Sequence, residues 1–137
     1  MPSGDAPEPV FFLDRSLGGV QVPQILREAG IEVVTLSEHY GVPEDQSIAD
    51  VEWLELAGSR HWPVLMKDSR IRYRAPERAA LLAHGVQAFC LTNANLKAAQ
   101  MAEEFLESME RIRFAIAVDR PCLYAVRSGR IERLDVS

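Results

Sequence analysis

Cysteine is scarce in this chain of 137 residues, which has only Cys90 and Cys122. Both lie inside apolar stretches, and no Cys or His stands at the spacing of a zinc site. A disulfide-stapled or zinc-ribbon scaffold is therefore excluded, and two inert buried thiols are expected. Phosphate-cradling loops are missing too, because Gly18-Gly19 belongs to neither a GxGxxG nor a Walker A pattern. No serine sits in a nucleophile elbow, and His39, His61 and His84 are isolated, so a Ser/His/Asp hydrolase is disfavoured. Positive charge is not in excess: the net charge of −5 argues against a protein that coats nucleic acid indiscriminately. No apolar run is long enough to span a bilayer, which argues against a membrane protein. Aromatic residues are few, and Trp53 and Trp62 are read as packing or interface residues rather than a stacking platform.

What is present is enough for a core. With 47% hydrophobic and 26% charged residues the composition is globular. Residues 1–9 are polar and proline-rich, without the basic start and apolar centre of a signal peptide, and are expected to be a disordered leader. Residues 10–137 are expected to fold as one domain, in the cytoplasm.

The chain alternates strand and helix signals. Val10-Phe11-Phe12-Leu13 is a continuous apolar run that ends in Asp14, as suits a strand buried on both faces of a parallel sheet. A helix is predicted over 20–29, with Pro23 in its first turn and Gly30 as its stop, and a strand over 31–36. A polar loop over 37–44 leads to Asp45, which has the look of an N-cap for a helix over 46–57 closed by Gly58. A third strand over 62–67 ends in Asp68, a helix runs from Pro76 to Gly85, and a fourth strand over 86–92 ends at Asn93. A long helix over 96–112, a strand over 114–118 and a hairpin over 123–134 turning at Ser128-Gly129 complete the chain. The pattern predicts an α/β three-layer sandwich, with a mainly parallel central sheet and a hairpin at one edge.

In such sheets ligands bind outside the carboxyl ends of the strands. Asp14, Asp45 and Asp68 each follow a strand directly or through a loop, with Glu38 and Glu44 nearby, so all can converge on one edge. Carboxylates held together repel unless a cation neutralises them, and hard oxygen donors select Mg²⁺ or Mn²⁺, usually for work on phosphate esters. The bland alternative is that Asp45 caps its helix and the other two solvate strand ends. Lys67, Arg70, Arg72, Arg74 and Arg78, with Tyr73 interleaved, form a basic strip after the third strand. Beside an acidic metal site it would hold a polyanionic backbone, with Tyr73 stacking on a base; otherwise it is a solvated face with partners such as Glu77.

These residues, in this order, resemble the PIN-like domains. Leu13-Asp14 after an apolar run, the helix ending at Gly30, and Ile31-Glu32-Val33-Val34 are similar to the opening of that family. Asp45-Gln46-Ser47-Ile48 matches its D-x-x-I element, and Met66-Lys67-Asp68 its T-x-D element with Met for Thr. The resemblance covers roughly residues 10–112 and is nearest the compact branch grouped with VapC-type toxins. It implies a Mg²⁺- or Mn²⁺-dependent endoribonuclease that cuts RNA with metal-activated water and is held in check by a cognate antitoxin protein. Asp14 and Asp68 would be metal ligands, with Asp45 a third acid that holds metal or orients water. Asn93 (or Asn95) stands where the family often has a further acid, either as a weaker ligand or as the cap of the long helix, and Arg70 replaces the second acid of the third motif. These departures keep open a PIN-like module of weak or lost activity that binds a protein partner or RNA. The apolar long helix and terminal hairpin are expected to support a homodimer.

Overall fold

The protein is described here from a computed structural model, over residues 8–67, 69–93 and 95–136. Most of the expected leader, residues 1–7, lies outside the described residues. Six strands, β1 (Val10–Leu13), β2 (Glu32–Thr35), β3 (Val64–Met66), β4 (Gln87–Leu91), β5 (Cys122–Arg127) and β6 (Arg130–Leu134), form one sheet in the order β2-β1-β3-β4-β5-β6. The first five are parallel, and β6 alone pairs antiparallel, with β5.

Alternating side chains build two separate cores, as the two-residue period of a strand requires. On one face Phe11 and Leu13 of β1, Leu65 of β3, and Phe89 and Leu91 of β4 meet α1 (Gln21–Glu28), α5 (Ala98–Glu107) and α6 (Met109–Val118). On the other, Phe12, Val64, Met66, Ala88 and Cys90 meet α2 (Leu36–Tyr40), α3 (Asp50–Arg60) and α4 (Ala75–Ala83). The architecture is the expected α/β/α sandwich. Trp53 is buried and stacks on Phe12, with ring centroids 5.8 Å apart, so it serves packing. Cys90 and Cys122 are buried, neither in a disulfide, and burial pushes the Cys122 thiol up to about 12.

Five local expectations are corrected. The loop over 37–44 begins as helix α2, because Thr35 and Glu38 form a capping box: Thr35 Oγ1 accepts the Glu38 N–H at 3.1 Å and Glu38 Oε1 accepts the Thr35 N–H at 3.0 Å. Asp45 is not an N-cap, since it lies in a 3-10 turn (Glu44–Ser47) and α3 starts only at Asp50. Gly58 does not end α3, which runs on to Arg60 and closes at His61 in the left-handed region, φ 56°. A Cβ on Gly58 would stand 2.4 Å from the His84 carbonyl oxygen, so its small size lets α3 pass the end of α4. Residues 114–118 are helical, not a strand: Met109, Ile112 and Ala115 are buried at helical spacing, while Phe114 and Val118 face outward. The long helix is thus two, joined at buried Ser108. The hairpin turns where expected, with positive φ at both Ser128 (50°) and Gly129 (79°), as a two-residue primed turn demands.

Candidate active site at the carboxyl rim of the sheet

β1 runs directly into a 3-10 turn, Arg15–Leu17, and Asp14 caps it. Asp14 Oδ1 accepts the Ser16 backbone N–H at 3.2 Å and also the Ser16 hydroxyl. Leu17 is buried, which draws the turn onto the sheet and leaves Asp14 only 7% exposed. Ser16 Oγ in turn accepts the backbone N–H of Lys67, just past β3, at 3.0 Å. One hydroxyl therefore keys the carboxylate to the neighbouring strand.

Asp45 is brought to the same place by Arg15. The Arg15 guanidinium donates to the backbone carbonyls of Asp45 (3.0 Å) and Ile48 (2.7 Å), holding the 3-10 turn against the start of the strand-end loop. Asp14 and Asp45 then line one small cavity of about 90 Å³, with Thr35 and Ser37 on its wall. Asp45 Oδ1 is inaccessible to solvent and, among the described residues, has no hydrogen-bond partner. A buried carboxylate oxygen in that condition is costly unless a proton or a cation meets it.

Burial also pushes the Asp14 carboxyl up, from 3.8 to about 6. The Ser16 donors pull it back, the charge of Asp50 adds to the rise, and Arg15 opposes it. Asp50 itself sits in the first turn of α3, where its Oδ1 accepts the Trp53 indole N–H at 2.9 Å. A cavity with one carboxylate raised by desolvation and another without a donor has the chemistry of a hard-cation site. Among the described residues, no three Asp, Glu, His or Cys side chains come together as a metal-binding group. Asp68, the third acid of the expected set, lies outside the described residues.

The other expected residues divide. Glu38 is spent on the capping box and on an ion pair with Arg27 at 2.6 Å, which together hold its carboxyl below the ordinary range. Asn93 lines a different, polar cavity with Gln100, Glu103, Glu104 and Arg127, and its Oδ1 accepts the Asn95 N–H at 3.0 Å, so it does not cap α5. In the basic strip Lys67 is half-buried and Arg70 exposed. Tyr73 is 69% exposed, with the Arg72 guanidinium 4.6 Å from its ring centre. Arg72 Nε is buried and, among the described residues, has no hydrogen-bond partner. Arg74 stands 4.0 Å from Glu77, and Arg78 donates to the Arg72 carbonyl at 3.1 Å.

Reading the sequence for acids and bases passes over Arg15 and Ser16, the two residues that assemble the cavity. Asp14-Arg15-Ser16 does carry the spacing of an Asx turn, a local signal for the Ser16 bond. Nothing local reports the reach of Arg15 to Ile48, 33 residues away.

Among known proteins, the profile of the family described as a PIN like domain matches residues 9–93. A protein of Mycobacterium tuberculosis, provisionally named ribonuclease VapC45, is 39% identical over 124 residues, which cover 90% of this chain and 90% of the relative. No solved structure gives a significant match. The family match runs from before β1 to the end of β4 and takes in both cavity acids, and the relative spans nearly the whole of both chains. This chain belongs to the PIN-like domain family, in its VapC-type group.

Proposed function

We propose that the chain is a Mg²⁺- or Mn²⁺-dependent endoribonuclease of the PIN-like type, the toxin of a toxin–antitoxin pair, acting in the cytoplasm under the control of a cognate antitoxin protein. The observation that carries this reading is the cavity lined by buried Asp14 and by Asp45, whose Oδ1 is solvent-free and has no hydrogen-bond partner among the described residues. Oxygen donors of this kind fit a hard divalent ion better than water or a side-chain donor. The ribonuclease name of the mycobacterial relative supports the same activity. No helix of the described residues is long and apolar enough to cross a membrane, which agrees with the location proposed.

In this reading Asp14 and Asp68 hold the ion and Asp45 completes or orients its surroundings, while Asn93, on a separate cavity with its Oδ1 bonded to Asn95, stays out of the ligand set. When bound, such an ion lowers the pKa of water and offsets charge at phosphorus. The chain's own residues do the rest. Ser16 fixes the Asp14 carboxylate. Arg15 fixes the backbone that carries Asp45. Lys67, Arg70, Arg72 and Arg74 take phosphates of the RNA, and exposed Tyr73 offers a face to a base. Structured RNA with Mn²⁺ tests the reading: wild-type protein cleaves, and Asp14→Asn, Asp45→Asn and Asp68→Ala do not. Equal cleavage by all four dismisses the site.

A second reading is a PIN-like module that keeps the fold without the chemistry and binds a protein partner or RNA. It is favoured by Asn93, whose Oδ1 is engaged by Asn95, and by Arg70 where the family carries an acid. Calorimetric titration separates the two, since Mn²⁺ binding that disappears in Asp14→Asn supports the enzyme and no binding supports the module.

A homodimer also belongs to the proposal. On α6, exposed Phe114 (70%) and Val118 (65%) border an open groove of about 680 Å³ against the hairpin, rimmed by Glu107, Glu110 and Arg111, and a second copy would cover these two apolar side chains.

A further inference from the structure

Arg127 and Arg130 face each other in register across the two-residue turn of the hairpin, and both are exposed. Like charges directly opposite on a ladder repel, and a fold selected only for stability would place an acid at one of them. The third hairpin arginine, Arg133, has one: its Nε lies 2.7 Å from Asp119 Oδ2. Neither Arg127 nor Arg130 has a carboxylate within 4 Å among the described residues, in a chain whose net charge is −5. Both line an open trough of about 570 Å³ with Thr92, Ser128 and Glu132.

Topology places this trough on the rim that carries Asp14. Strands β1, β3, β4 and β5 are parallel neighbours, and Leu91 and Val126 are register partners. Thr92 and Arg127, one residue further on, therefore leave the sheet at the same edge as Asp14 and Lys67. At the spacing of adjacent strands, β5 is about 14 Å from β1 along that rim. We propose that Arg127 and Arg130, with the Thr92 hydroxyl, form a phosphate-binding subsite that grips the RNA backbone a few nucleotides from the Asp14–Asp45 cavity. The inference rests on the ribonuclease reading and extends its substrate track, in the direction away from β2.

The test is fluorescence anisotropy of a labelled single-stranded RNA of mixed sequence over a salt series. The full chain carries Asp14→Asn to stop turnover. Adding Arg127→Gln and Arg130→Gln is expected to weaken binding roughly tenfold at low salt and to flatten the log–log salt slope by about 1.4, because each phosphate neutralised on a single strand adds about 0.7 to it. Arg127→Lys with Arg130→Lys is expected to restore the slope, and Arg113→Gln, on α6 beside Glu8, to leave it unchanged. An unaltered slope in the double glutamine variant overturns the subsite alone and leaves the pair to an acidic protein surface. Absence of RNA binding at every salt concentration overturns the subsite together with the ribonuclease reading.

Discussion

Ser16 holds Asp14 in place by donating its hydroxyl to the carboxylate while accepting the Lys67 backbone N–H at 3.0 Å. The carboxylate that follows β1 is thereby tied to the residue that follows β3, and a change at Ser16 alters both its position and its acidity.

Ser16→Ala removes the hydroxyl bond to the ionised form of Asp14 and keeps the backbone one, so the carboxyl rises above the value of about 6. Hydrogen bonds to charged groups are worth roughly 1.5–3 kcal/mol, or about one to two pH units. The acid limb of the cleavage profile is expected to move by that much toward alkaline pH. An unshifted limb would separate Ser16 from the chemistry.

Stability should respond to pH with a definite sign. Because burial raises the Asp14 carboxyl from 3.8 to about 6, folding favours its protonated form. That contribution is fully present below 3.8 and is lost as pH rises through about 6, for a loss of about 3 kcal/mol. In metal-free buffer Asp14→Asn is expected to melt several degrees above wild type at pH 8 and close to it at pH 4. Millimolar Mn²⁺ should stabilise wild type at pH 8 and leave Asp14→Asn unmoved. Calorimetric melts with the same difference at both pH values would count against the linkage.

Arg15→Ala releases the turn that carries Asp45, since two backbone carbonyls lose their donor. A supporting residue of this kind typically affects ion affinity by about 10- to 100-fold, and Mn²⁺ titration should read a loss of that size with the melting temperature little changed. Undiminished affinity would show that the turn holds its place unaided.

Gly58→Ala sets two effects against each other. Alanine favours the helix by about 1 kcal/mol, whereas its methyl would meet backbone of His84 at 2.4 Å, and overpacking costs about 1–3 kcal/mol. Backbone yields poorly, so net destabilisation is expected in a urea titration. A stabilised variant would mean that α4 can move away.

Self-association should depend on α6. Light scattering is expected to give a dimer for wild type and a monomer for Phe114→Glu with Val118→Glu. A wild-type monomer at high concentration would discard the homodimer.

The apolar runs of β1, β3 and β4 announce buried strands because they are short and a doubly covered sheet hides consecutive large side chains, as at Phe11, Phe12 and Leu13. The end of α1 and the primed turn at Ser128-Gly129 are equally local, being written in single residues and their φ preferences. The capping box at Thr35 and Glu38 was legible too, as Thr-x-x-Glu, although the polar stretch around it reads as a loop. Phe114-Ala-Ile-Ala-Val118 misleads, because alternation in sequence suits a strand while burial at Met109, Ile112 and Ala115 follows a helix.

What the sequence determined by itself was the kind of sheet and the acids at its strand ends, since periodicity and side-chain polarity act over a few neighbours. Tertiary structure alone decided that Asp14 and Asp45 line one small cavity. Bonds spanning 30, 33 and 51 residues make that meeting, and no local pattern encodes which distant backbone a guanidinium or a hydroxyl will reach once the core has packed.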